Sequence, residues 1–380
     1  MKMYDLIKKL MPEFLKQFSG LHYLRFWLNY VLTYKNKLLK QLDTSKITIT
    51  SDRKAKKRIL VPLIETSHYQ HLQILIVSKA LQLRGHNLTI LICDEFLLGC
   101  EIKAKRNEGL SNRCWKCKFH QKNILPLFNF EVIKLSHLFN ENEINKIKSD
   151  AKNFVDTKSN KIRKYGVDLT QSIEDSVIRY FYGAVPTDKN ISDKIRLFHT
   201  QTALISLESA RKIMNQIKPD MVFGNMYVYS AWEPMFRYYK KQQINFNSLS
   251  ISPFNYNSNI LNQYQLFESR DRYYKYINNR KDNKLNTDEK HQLDKFLSNR
   301  LNANSKIFKD SKFFKEIDKS SIEKKLNINK YERNLFLFSN VYWDVGMSEC
   351  SGLYNNVIEW VLETINIVKD KENLHLYVKP

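Results

Sequence analysis

No run of about 18 consecutive apolar residues occurs anywhere in these 380 residues, so the sequence predicts no membrane-spanning helix. The first ten residues, Met1 to Leu10, are too polar for a secretory signal. Cysteine is scarce and odd in number, at five: Cys93, Cys100, Cys114, Cys117 and Cys350. An odd count without a leader points to a reducing compartment rather than a disulfide framework. Phosphate-cradling glycine patterns are missing too. There is no G-x-x-x-x-G-K-[ST] loop, and no G-x-G-x-x-G follows the first strand-like segment. Those absences disfavour ATP hydrolysis and dinucleotide redox chemistry. Acidic residues are also short, 39 against 62 Lys and Arg, for a formal net charge of +23.

What is present reads as a folded chain, with 43% hydrophobic and 27% charged residues. The excess of lysine raises a nucleic-acid or membrane-surface reading. It is spread along the chain with much Asn and Ile, a pattern that composition bias also produces. No helix-turn-helix, RNP or zinc-finger spacing supports nucleic acid as a partner. Residues 1–57 read as a basic amphipathic helical extension. Leu6, Leu10, Phe14, Phe18 and Leu21, then Leu24, Trp27, Leu28, Val31 and Leu32, form an apolar stripe among lysines. Such a helix lies on a membrane surface or packs on the main body.

From Arg58 the pattern changes. Arg58 to Ile64 is a short apolar run, as expected of a buried strand. Ser67 is placed to cap a helix whose expected buried side carries Leu72, Leu75, Ile76, Ala80 and Leu83, and Gly85 ends it. Leu88 to Cys93 is a second strand. Strand, helix and strand within about 35 residues make a βαβ unit and imply a parallel sheet. Further strands are expected at Phe130–Leu135, Met221–Gly224 and Ile244–Ile251. Continuous helix is expected over 138–183, with more over 196–217 and 231–241. Residues 256–330 read as a helical bridge. A second βαβ unit is expected in 331–380, with strands at Leu335–Phe338 and Leu374–Val378.

Four segments, in this order, resemble bacterial capsule-polysaccharide glycosyltransferases of the two-Rossmann (GT-B) type. Ala80 to Ile90 resembles an "ALxxRGHxVT" segment. Cys93-Asp94 and Cys100-Glu101, with Cys114-x-x-Cys117, resemble a second. Lys218-Pro219-Asp220-Met221-Val222 with Gly224-Asn225 resembles a third. Leu337 to Asp344 with Glu359-Trp360 resembles the opening of the second domain. The resemblance implies an α/β fold. Residues 58–255 would be a Rossmann-like acceptor domain with a parallel sheet, and 331–380 the start of a Rossmann-like donor domain. It also implies that a His-Pro pair and the rest of the donor domain normally follow Tyr377-Val378-Lys379-Pro380, so the chain is expected to be truncated at its C-terminus. The absence of an Asp-x-Asp pair points away from a metal-dependent single-Rossmann transferase.

Glycosyl transfer needs a base for the acceptor hydroxyl, and ligands of open parallel sheets bind beyond the carboxyl ends of strands. The first such connection carries Glu65, Ser67 and His68. His68 or Glu65 is the candidate base, and Ser67 a substrate-binding residue. The loop after Gly224 offers Asn225, Tyr227, Tyr229 and Glu233 to sugar hydroxyls and rings, and Asn340 and Asp344 follow a strand in the second unit. For each the competing reading is a solvated or packing role. His71, one turn on from His68, reads equally as a surface residue, and His86 as a structural turn residue. Cys93, Cys100, Cys114 and Cys117 read either as separate thiols or as a structural zinc site, with His120 an alternative ligand.

The function expected is transfer of a sugar from a nucleotide-sugar donor to a capsular or lipid-linked glycan acceptor, with no cofactor required for the chemistry. The chain is expected in the cytoplasm, peripheral on the inner membrane face. The alternative is a non-catalytic relative that binds glycan or a partner protein.

Overall fold

The computed structural model describes residues 56–64, 69–100, 114–157, 161–183, 185–224, 228–249, 260–263, 285–301, 319–326, 328, 333–338 and 357–379. The expected extension 1–57 lies outside them, except Lys56 and Lys57. The chain divides into two compact units. One ends at Phe246 and the other runs from Asn247 to Pro380, with Tyr182–Val185 grouping with the second.

The first unit opens with β1 (Arg58–Leu63), α1 (Tyr69–Leu83) and β2 (Asn87–Ile92). In β1 and β2 every residue after the first is buried. A strand covered on both faces reads as a continuous apolar run, which is why these two were legible. Gly85, at φ +91°, turns the chain between α1 and β2. His86 accepts a hydrogen bond from the Lys57 amide at 3.2 Å, a structural role. The buried face of α1 differs from expectation. His71, Ile74, Leu75 and Ser78 are buried, while Ile76 and Ala80 are exposed. Apolar residues occur on most sides of this helix, so the stripe alone left its rotation undetermined.

Next come α2 (Cys114–Asn123), β3 (Glu131–Lys134) and α3 (Glu141–Asp156). A complete capping box starts α3. Asn140 accepts from the Glu143 amide, and Glu143 accepts from the Asn140 amide. The continuous helix expected over 138–183 is broken here. A hairpin of β4 (Arg163–Lys164) and β5 (Val167–Asp168) separates α3 from α4 (Thr170–Tyr180). Tyr165 and Gly166, at φ +53° and +72°, make its tight two-residue turn.

The helix α5 (Lys189–Gln216) starts seven residues earlier than expected, capped by Asp188. It is buried along its middle and packs against α3, α4 and the later α6 (Tyr229–Lys241). Between α5 and α6 runs β6 (Met221–Gly224), and β7 (Asn245–Leu249) and β8 (Ile260–Gln263) follow α6. Within the first unit the strand order is β3-β2-β1-β6. β1 pairs parallel with β2 and with β6, β2 pairs parallel with β3, and β7–β8 is antiparallel. The architecture is α/β with a Rossmann-like parallel sheet.

The second unit holds α7 (Thr287–Leu301), α8 (Lys319–Leu326), β9 (Arg333–Phe338), α9 (Val357–Val368) and β10 (Leu374–Lys379). β9 and β10 pair parallel in register Leu335 with Leu376, the βαβ unit expected there. Phe336, Phe338, Ile358, Leu362 and Ile367 are exposed in this unit. Among the described residues, no helix is long and apolar enough to cross a membrane.

Candidate functional site

Strand order locates the site. From β1 the chain proceeds outward through β2 to β3. It then returns to β6 on the other side of β1. The reversal makes β1/β6 the topological switch point, whose carboxyl-end crevice is where open α/β sheets bind ligands. β1 ends at Leu63 and α1 begins at Tyr69, while β6 ends at Gly224 and α6 begins at Tyr229. Glu65, Ser67 and His68 lie in sequence between β1 and α1, and Asn225 and Tyr227 between β6 and α6. All five residues lie outside the described residues, as do Asn340 and Asp344.

The first turn of α6 follows β6 in the chain and is buried. Tyr229 adopts φ +69° and is buried. It was expected to offer its ring to substrate. Its hydroxyl instead accepts from Arg179 Nη1 at 2.9 Å, and the same guanidinium lies 4.9 Å over the ring centroid. Next in the chain, the Ser230 amide donates to Ser176 Oγ at 2.8 Å, and Ser230 Oγ lies 2.9 Å from His199 Nδ1. Ser176 Oγ in turn donates to the Ser172 carbonyl at 2.9 Å. Burial pushes the His199 pKa down to about 3, so the ring is neutral. A serine beside a neutral imidazole has the make-up of a nucleophile and base. Ser230, Ser176 and His199 are 0%, 1% and 2% exposed, so no substrate reaches them. The cluster ties α4, α5 and α6 together.

Glu233 sits one turn further along α6, buried, with Oε1 accepting from Arg237 Nε at 2.6 Å. Its carboxylate is thus held by a guanidinium one turn on. A second acidic cluster lies at the hairpin. Burial raises the Glu208 pKa, but the Tyr165 hydroxyl at 2.6 Å, Arg211 and Lys164 outweigh it and hold the carboxylate below its usual range. Sequence reasoning named Glu233 but missed the His199 and Glu208 clusters. The available signal was the density of Ser, Thr, Gln and Glu in the middle of α5.

At the carboxyl end of β2 lies a small cavity. Cys93, Cys100, Cys114 and Cys117 line this cavity of about 20 Å3, together with Ile64, Glu95, Leu97, Lys118, Gln121 and Trp232. His120, the alternative ligand in the sequence, is not on its wall. All four cysteines are thiols. The Cys93 thiol is pushed up to about 11, first by burial and further by the nearness of Cys117 and Cys114. Among the described residues, no group of three or more His, Cys, Asp or Glu side chains is placed, as the side chains stand, to hold a metal ion. A larger open groove, about 610 Å3, runs beside this cavity under β2 and β3. Lys118, Lys122, Lys134, Asp94 and Phe130 lie along it. That volume is in the range of small-molecule sites.

No family model matches the chain, and no curated protein does. Among solved structures, it is similar to a CDPS from Fluoribacter dumoffii, at 13% identity and a TM-score of 0.33. That match covers 50% of this chain and 85% of that one. At that level the likeness carries no functional argument.

Proposed function

We propose that this chain belongs to a GT-B-type glycosyltransferase that moves a sugar from a nucleotide-sugar donor to a capsular or lipid-linked glycan acceptor. One observation carries the reading. The two strands whose parallel pairing makes the switch point, β1 and β6, are the ones that the stretches rich in candidate chemistry, 65–68 and 225–227, follow in sequence. In this reading the first unit is the acceptor domain, and the β9–α9–β10 unit opens the donor domain. The groove beside the cysteines, with three lysines and one carboxylate along it, suits an anionic substrate.

The chemistry proposed is direct. His68 or Glu65 takes the proton of the acceptor hydroxyl as it attacks the anomeric carbon, and the nucleoside diphosphate leaves. Ser67, Asn225, Tyr227, Glu233, Asn340 and Asp344 are the proposed substrate contacts, and no metal takes part in the transfer. The basic extension 1–57 would hold the protein on the inner face of the cytoplasmic membrane.

The test is a panel of nucleotide sugars offered to the purified protein with a lipid-linked acceptor, following nucleoside diphosphate release. Release that depends on acceptor and is lost in His68→Ala or Glu65→Gln supports the reading. Glycan binding with no release from any donor sinks it in favour of a non-catalytic glycan-binding relative.

A further inference from the structure

Three separate segments bring cysteine to the wall of one cavity. Cys93 follows the last residue of β2, Cys100 ends the turn after it, and Cys114 and Cys117 lie in the first turn of α2. Each segment is held there by contacts that do not involve sulfur. Gln121 Nε2 donates to the Cys93 carbonyl at 2.9 Å and docks α2 against the end of β2. The Gly99 amide donates to Thr202 Oγ1 at 3.1 Å, and Thr202 Oγ1 donates back to the Gly99 carbonyl at 2.9 Å, which moors the end of the turn to α5. Residues three apart on a helix share a face, so Cys114 and Cys117 both present to the cavity that they line.

The cavity is sized for a single atom. About 20 Å3 is close to one water-sized sphere. Gln121 donates to the Cys93 carbonyl, and Lys118 is ion-paired with Glu95 at 2.6 Å. The remaining lining is Ile64, Leu97, Trp232 and four sulfurs. Four cysteines on the wall of one small cavity supply the donor set of a soft, tetrahedral divalent cation once their side chains turn to a common centre.

We propose that Cys93, Cys100, Cys114 and Cys117 bind one structural Zn2+ that joins the end of β2 to α2. Binding releases the thiol protons and draws the four sulfurs from the cavity wall to about 2.3 Å of a common centre. The ion takes no part in sugar transfer. It fixes the carboxyl end of β2 beside the lysine-lined groove. The inference rests on the cysteine cavity alone and stands or falls independently of the glycosyltransferase reading.

The experiment uses the full chain, purified under reducing conditions with Zn2+ supplied and then dialysed. Elemental analysis is expected to find about one zinc per chain, and zinc-edge absorption about four sulfur scatterers near 2.3 Å. Cys93→Ser and Cys117→Ser are expected to lose the ion, and Cys350→Ser to keep it. A zinc shell of nitrogen and oxygen in the wild-type protein would overturn the proposal even if the serine variants fail to fold. So would a metal-free chain carrying a Cys114–Cys117 disulfide, or iron with visible charge-transfer absorbance.

Discussion

Arg58 and Asp220 clamp the amino ends of the two central strands across 162 positions of sequence. Arg58 donates to Asp220 through its amide at 2.8 Å, Nε at 3.2 Å and Nη2 at 2.8 Å, and the Asp220 amide donates to the Arg58 carbonyl at 2.9 Å. Arg58 Nη1 also reaches the Ile217 carbonyl at 3.1 Å. This pair explains the Pro-Asp step of the segment 218–222. Its aspartate works at the end of the sheet opposite the switch-point crevice, and its role there is to set β6 beside β1.

That clamp predicts an acid sensitivity. The hydrogen bonds from Arg58 hold the Asp220 pKa down to about 2, against an ordinary value of 3.8. A depressed folded pKa gives stability that is complete above the unfolded value and is lost as pH falls through the folded one. Asp220→Asn should therefore lower the thermal midpoint at pH 7, and the gap to wild type should close between about pH 4 and pH 2. The pair is half exposed, so added salt should narrow the gap as well. Thermal melts across pH read this directly, and a gap that persists at pH 2 would mean that charge is not its cause.

His199 predicts a second pH effect at milder acidity. Its ring is buried and neutral, with a folded pKa near 3 against an unfolded value of 6.5. As pH falls below 6.5 the unfolded chain takes up a proton that the folded chain refuses, so stability declines from 6.5 toward 3. The loss should reach ~2 kcal/mol by about pH 5. In His199→Gln that slope should be absent, although the variant is less stable at neutral pH. Denaturant titrations at pH 7, 6 and 5 check it, and equal slopes in the two proteins would contradict the assignment.

Gly99 is required by close approach. A β-carbon there would stand 2.9 Å from His199 Nδ1 and 3.1 Å from both the His199 amide nitrogen and the Phe198 carbonyl carbon. Two of the three are helix backbone and cannot step aside. Gly99→Ala should cost about 1–3 kcal/mol through overpacking. Calorimetry decides it, and a neutral substitution would show that the turn holding Cys100 is not packed on α5.

For the proposed transfer, replacing the base in the 65–68 connection should lower kcat by about 10^2–10^4 with little change in KM. His68→Ala and Glu65→Gln identify which residue carries the role. Steady-state nucleotide release measures it, and full activity in both variants would move the base elsewhere.

The legible parts of the fold were those that local pattern encodes. β1, β2, β6 and β10 were read from short apolar runs, and the end of α1 from Gly85. The hairpin at Tyr165-Gly166 was missed because the apolar spacing on either side continues a helical rhythm. The buried polar face of α5 was missed because His199, Thr202, Ser206 and Glu208 look like a solvated stripe until α3, α4 and α6 cover it. Tyr229 was read as a substrate-facing aromatic, and only its partner Arg179, 50 residues earlier, shows that it turns inward.

Length, charge, the parallel βαβ rhythm and the cysteine spacing follow from the sequence alone, because each is written within a few residues or in simple composition. The position of β6 beside β1, the crevice that reversal creates and the placing of four cysteines on the wall of one cavity were decided by the tertiary structure. These depend on segments far apart in the chain, joined by contacts such as Arg58–Asp220 and Gly99–Thr202, which no local periodicity records.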